Sequence, residues 1–140
     1  MPLSAQARAV LAELPRLSND HVFTIIGNVP ISNFGEYKAR LDSLMLMEAV
    51  KEHGSQATIV DWRLHDLRRS AATGMAGIGI APHVIEAVLN HATGFKGGVA
   101  GVYNTYDYEN EKRHALDRWG AHVERIVSGA DVRNVVPMRR

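Results

Sequence analysis

The chain has no cysteine, few aromatic residues and no long apolar run. Without cysteine, disulfides, thiolate metal sites and cysteine nucleophiles are excluded. No window approaches the roughly 18 continuous apolar residues that a membrane span needs. The N-terminus also lacks the basic and then apolar pattern of a secretory signal. We therefore expect a cytoplasmic protein that does not act at a membrane.

An excess of charge is also absent, because the formal net charge is only +1. This balance neither requires nor excludes nucleic acid, since a phosphate backbone needs a local basic face rather than a basic total. At 140 residues the chain has the size of one domain and can bury a core of its own. A single compact unit is the simplest expectation.

Hydrophobic spacing and capping residues predict a mainly α-helical domain with at most a short β element near residues 21 to 31. Ser4 suits an N-cap, Ser32 or Asn33 can cap a longer helix, and Pro82 suits a first helical turn. The predicted helices cover residues 5–14, 33–52, 64–75, 82–90 and 106–126, each to within a few positions.

The densest group of chemically capable side chains lies in residues 62–69, where His65 and Arg68 stand three positions apart. On a helix that spacing puts both side chains on one face. A guanidinium can grip two phosphate oxygens while an imidazole donates a hydrogen bond or a proton. The pair thus suits an oxyanion, although an ordinary solvated helix face gives the same pattern.

A second group begins with His91, at the end of an apolar helix, and continues through a glycine-bearing connection to Tyr103. A tyrosine hydroxyl has a pKa near 10, so as a nucleophile it needs cationic or hydrogen-bonding neighbours. His65, Arg68 and His91 are candidates for that task. Taken singly, His91 also fits an imidazole at a helix C-terminus, and Tyr103 fits a packed aromatic ring.

Together these blocks resemble the tyrosine recombinase, or phage integrase, family in the C-terminal part of its catalytic domain. Residues 65–69 (His-Asp-Leu-Arg-Arg) are similar to the first block, and residues 84–91 (Val-Ile-Glu-Ala-Val-Leu-Asn-His) to the second. Residues 97–104 (Gly-Gly-Val-Ala-Gly-Val-Tyr-Asn) look like the tyrosine block of prophage integrases similar to that of satellite phage P4. The resemblance covers about residues 1 to 127.

The resemblance implies site-specific DNA integration or excision at attachment sites in double-stranded DNA, in a bacterial or phage setting. Arg68 would clamp the scissile phosphate, and His65 and His91 would donate to its oxygens or assist proton transfer. Tyr103 would attack the phosphorus and form a 3′-phosphotyrosine intermediate. The family needs no metal or other cofactor, and its members act as oligomers on DNA.

Three departures from the family pattern bear on these roles, of which Ser70, where threonine is common, is minor. Asn90 stands where the family usually has glycine, although asparagine tolerates a left-handed backbone. The family's first catalytic arginine and its β-hairpin lysine lie upstream of the segment that Pro2 begins here. The resemblance therefore implies a partial catalytic domain over residues 1–127, with a flexible tail at 128–140 and weak or no activity alone. The alternative is a non-catalytic helical remnant that binds DNA or protein.

Three further basic residues, Arg63, Arg69 and Lys96, are candidates for contacts with DNA phosphates, with simple solvation as the alternative. Tyr106 and Tyr108 lie close enough to Tyr103 in sequence to compete as nucleophile. The remaining histidines are scattered and show no pair spaced for zinc, so no metal site is expected.

Overall fold

The computed structural model describes residues 1–91 and 106–130, and within them the chain is mainly helical with no strand. This confirms the predicted fold class. No helix in the described ranges is both long and apolar enough to cross a membrane. The helices, in chain order, are α1 (Ala5–Ala12), α2 (Phe34–His53), α3 (Leu64–Gly77), α4 (Pro82–Leu89) and α5 (Glu109–Val127).

The chain divides into two compact units, and each is described by itself. The first, which we call the discontinuous unit, comprises Met1–Glu13 and Leu67–Arg140. The second, which we call the inserted unit, comprises Leu14–Asp66. The boundary between them falls within the first turn of α3.

The core of the discontinuous unit forms where α4 and α1 pack against α5. Pro82 begins α4, whose apolar face supplies three of the six buried hydrophobic core residues. Trp119 of α5 packs against this core. Gly74 lies directly against the indole ring of Trp119, where no larger residue fits without movement. The buried core residues are Met75, Ile80, Val84, Ile85, Val88 and Ala115.

Local capping explains where the helices begin and end. The hydroxyl of Ser4 accepts a hydrogen bond from the backbone N–H of Ala7 at 3.2 Å and caps α1, as predicted. Gly54 ends α2 with a φ of 88°, a conformation that a residue without Cβ adopts freely. The last helix begins at Glu109 rather than at Tyr106, because Tyr108 takes a left-handed conformation with φ 54°.

The inserted unit contains α2 and the extended segments around it. The sequence allowed at most a short β element near residues 21 to 31, and no strand forms there. That stretch is a series of bends joined by a hydrogen bond from the Ile31 N–H to the Phe23 carbonyl at 3.0 Å. An isolated two-stranded hairpin is only marginally stable without further strands or a packed face, which explains why no strands form in this stretch.

Within the same unit, α2 is joined to the segment that precedes α3. The indole Nε1 of Trp62 donates to Asp42 at 2.8 Å, and Lys38 donates to the other oxygen of that carboxylate at 2.6 Å. The Lys38 ammonium also lies 4.8 Å from the centre of the Trp62 ring. These polar contacts hold Trp62, in the segment just before α3, against α2.

Candidate functional site

The first turn of α3 is organised by Asp66. Its carboxylate accepts a hydrogen bond from the backbone N–H of Arg63 at 2.9 Å, and its own N–H donates to the Arg63 carbonyl at 2.8 Å. A side chain at the third helical position that reaches back in this way satisfies an N–H that the helix leaves without a partner. The turn that carries His65 is thereby fixed, and the His65 side chain is exposed.

Arg68 lies one turn further along α3 and is half-buried. Its Nη2 donates to the backbone carbonyl of Leu89, at the last residue of α4. That bond connects positions 21 residues apart in sequence. A guanidinium has five N–H donors in a planar fork, more than the single bond to Leu89 uses. The contact brings Arg68 to the end of α4 that precedes His91.

The end of α4 has a well-defined turn geometry. Asn90 is left-handed, with φ 53° and ψ 42°. Its N–H donates to the Ala87 carbonyl at 3.3 Å, and the N–H of His91 donates to the Glu86 carbonyl at 3.2 Å. This pair of bonds is the Schellman arrangement, which closes a helix and satisfies its last carbonyls. The backbone of His91 is therefore anchored to α4.

The His91 side chain is anchored as well. Its Nδ1 lies 2.7 Å from the Oε2 atom of Glu86, a hydrogen-bonded ion pair when the imidazole is protonated. Both side chains are partly exposed, at 42% for His91 and 37% for Glu86. The sequence analysis gave Glu86 no role. The signal that could have found it is an acidic residue five positions before a histidine that follows a helix end.

The predicted site residues therefore fall into three groups. Arg68 and His91 both lie in the discontinuous unit, where Arg68 bonds the last residue of α4 and His91 follows two positions later. His65 belongs to the inserted unit and shares α3 with Arg68. The other four predicted positions form the third group: Arg63 and Arg69 are exposed, whereas Lys96 and Tyr103 lie outside the described residues.

Of the two rival tyrosines, Tyr106 is a poor candidate nucleophile. The negative charge of Glu111 is the largest of the effects that raise the pKa of Tyr106 above its ordinary value. The Tyr106 hydroxyl donates to that carboxylate at 3.3 Å. Tyr108 stacks at an angle on His83, with ring centres 5.4 Å apart. A raised pKa opposes formation of a phenolate, which is the opposite of what a nucleophilic tyrosine requires.

Within residues 1–91 and 106–130, no group of three or more His, Asp or Glu side chains is placed to hold an ion.

Comparison with known proteins gives one informative similarity. The chain is 30% identical over 132 residues to the prophage integrase IntA of Escherichia coli strain K12. The match covers 94% of this chain but 29% of that protein, so the chain spans less than a third of the length of its relative. No protein-family model matches the chain, and no solved structure does. The similarity supports the integrase resemblance at the level of the broad family.

Proposed function

We propose that this chain contributes part of the catalytic domain of a tyrosine-type site-specific recombinase. The observation that carries the proposal is the bond from Arg68 to the Leu89 carbonyl, which brings the guanidinium to the helix end that bears His91. This bond supports a joint role for Arg68 of α3 and for His91, which follows α4. Similarity to a prophage integrase over 94% of the chain supports the same function.

In the proposed reaction, Arg68 grips the non-bridging oxygens of the scissile phosphate, and His65 and His91 donate to the same group. The Tyr103 hydroxyl loses its proton as its oxygen bonds to phosphorus, and the bond to the 5′-oxygen breaks. The products are a 3′-phosphotyrosine and a free 5′-hydroxyl. A 5′-hydroxyl of another strand then reverses these steps, so the number of phosphodiester bonds is conserved and no cofactor is consumed.

The proposed substrate is double-stranded DNA at attachment sites, in the cytoplasm of a bacterium. Arg63, Arg69 and Lys96 contact backbone phosphates near the cleaved bond, which would fix the register of the protein without reading sequence. Assembly on DNA is expected to involve more than one copy. Because the chain spans less than a third of its integrase relative, integration or excision is proposed for the whole protein, and weak cleavage for this chain alone.

Binding of the chain to duplex DNA tests the proposed contact between Arg68 and a backbone phosphate. Fluorescence anisotropy with a short duplex, repeated over a range of salt concentrations, gives the number of phosphates engaged. Arg68→Ala should weaken binding and reduce the salt slope by about 0.9 if one phosphate contact is lost. Arg118→Ala is the matched control, because Arg118 likewise donates through Nη2 to a backbone carbonyl, that of Ile78. An equal loss in both variants would contradict a specific role for Arg68.

Trapping of a covalent protein–DNA adduct tests the proposed attack of Tyr103 on the phosphate. The chain is incubated with a pool of nicked duplexes, from which a cleaved strand diffuses away and leaves the enzyme trapped on DNA. An adduct that survives denaturant and disappears in Tyr103→Phe is expected. Arg68→Ala should reduce its rate of formation by roughly two to three orders of magnitude, since one such donor supplies about 3 to 4 kcal/mol to the transition state. Duplex binding without any adduct would favour the non-catalytic remnant instead.

A further inference from the structure

Glu86 is the feature of the candidate site that neither the sequence resemblance nor the proposed reaction uses. It lies in the middle of α4, and its carboxylate is 2.7 Å from Nδ1 of His91. Its backbone carbonyl accepts the N–H of the same residue at 3.2 Å. One residue thus holds both the backbone and the side chain of His91.

These two contacts with Glu86 fix the orientation of the His91 imidazole ring. A ring nitrogen that donates to a carboxylate carries the proton, so Glu86 selects the Nδ1–H form of neutral His91. The second nitrogen, Nε2, lies on the far side of the five-membered ring and is directed away from the carboxylate. In the neutral ring Nε2 is then the nitrogen that can accept a proton from substrate, and in the protonated ring it can donate to a phosphate oxygen.

We propose that Glu86 is a positioning residue, which fixes the tautomer and orientation of the His91 ring so that Nε2 faces the phosphate gripped by Arg68. The inference rests on the proposed function, but the Glu86–His91 pairing is a property of the chain that can be measured without any reaction. Glu86 does not itself contact substrate. Its carboxylate would repel a phosphate if it lay beside one, which is consistent with its action through His91 alone.

Two substitutions separate the charge of the Glu86 carboxylate from its role as a hydrogen-bond acceptor. Glu86→Gln keeps an oxygen that accepts from Nδ1–H and removes the charge, whereas Glu86→Leu removes the acceptor. Leucine and glutamate have similar helix propensities, so α4 should persist in both variants. Glu109→Leu is the control, because the carboxylate of Glu109 is also paired with basic side chains, Arg113 at 3.5 Å and Lys112 at 3.8 Å, on a different helix.

The first readout is the tautomer of His91, measured from imidazole nitrogen chemical shifts at about pH 8.5, where an ordinary imidazole is neutral. His91→Asn identifies its signals among those of the seven histidines. The Nδ1–H form is expected in the unaltered chain, in Glu86→Gln and in Glu109→Leu. Glu86→Leu should shift His91 towards the Nε2–H form. An unchanged tautomer in Glu86→Leu would overturn the proposal whatever the reaction assay gives.

The second readout is the rate of adduct formation on nicked duplexes. A general acid or base contributes roughly 10²- to 10⁴-fold, and loss of orientation should remove part of that, about tenfold in Glu86→Leu. Glu86→Gln should recover most of the rate. Full activity of Glu86→Leu would overturn the positioning role. Failure of the unaltered chain to form any adduct counts against the proposed function, and the tautomer measurement alone then decides the Glu86–His91 pairing.

Discussion

Asn90 carries the turn that places His91, and replacing it by alanine should loosen that turn. Asn90 has φ 53° and ψ 42°, in the left-handed region. A residue with a Cβ atom pays about 1–2 kcal/mol there, whereas asparagine is among the few side chains that tolerate it. We therefore expect Asn90→Ala to lower the free energy of unfolding by roughly 1 kcal/mol. Glycine has no Cβ, so Asn90→Gly should be close to neutral.

The effect should concentrate at the end of α4. The left-handed turn supports two hydrogen bonds, from Asn90 to Ala87 and from His91 to Glu86, at 3.3 and 3.2 Å. A loss of about 1 kcal/mol changes a local opening equilibrium by roughly fivefold. The amide of His91 should therefore exchange with solvent about five times faster in Asn90→Ala. The melting temperature should fall by about 3–4 °C, as expected for a chain of 140 residues.

Thermal unfolding followed by circular dichroism and amide exchange followed by NMR measure the two quantities on the same samples. Asn90→Gly controls for the loss of the amide side chain, since it removes that group without opposing the left-handed backbone. The reasoning is refuted if Asn90→Ala melts at the same temperature as Asn90→Gly and protects the His91 amide equally. That result would mean that the turn does not determine the end of α4.

Two further predictions concern packing and charge. Gly74→Ala should cost about 1–3 kcal/mol in a urea titration, because its Cβ would lie 2.5 Å from Cη2 of Trp119. Gly77→Ala, on the same helix with nothing within 4 Å, should be neutral or slightly stabilising, and equal effects would discredit the packing argument. Glu111→Gln should lower the raised pKa of Tyr106, as read from its ring carbon signals during a pH titration. Because the folded state raises this pKa, any stabilisation is present below the unfolded value near 10 and is lost as pH rises through the folded value. If the pKa of Tyr106 is the same in Glu111→Gln as in the unaltered chain, Glu111 is not the main cause of its raised value.

Much of the helical arrangement was predictable because local chemistry determines it. Ser4 caps α1 and Pro82 begins α4, and both effects depend on a few adjacent residues. The left-handed Asn90 was also accessible, since few other residues adopt that conformation at modest cost. Whether residues 21–31 form a strand could not be decided from the sequence, because β propensity reflects packing against neighbours, which a local pattern does not contain.

The candidate site was predictable in its residue types but not in its connections. Arg68 was chosen for its spacing from His65, whereas its bond to the Leu89 carbonyl depends on how α3 packs near α4. The pairing of Glu86 with His91 depends on the residue at which α4 ends, and a shift of one position would separate them. Helix ends are the least certain feature of a sequence pattern, so this contact could be seen only in three dimensions.

The inserted unit, residues 14–66, contains no fully buried side chain. Unfolding such a unit uncovers little additional apolar surface, and the heat capacity of unfolding follows that surface. The discontinuous unit, with its buried core, should therefore supply most of the heat-capacity change of the chain. The stability of residues 14–66 should vary only slightly with temperature. Their free energy of unfolding should also fall only slowly as the denaturant concentration rises. In a calorimeter they would contribute a broad, weak transition beside the sharper one of the core.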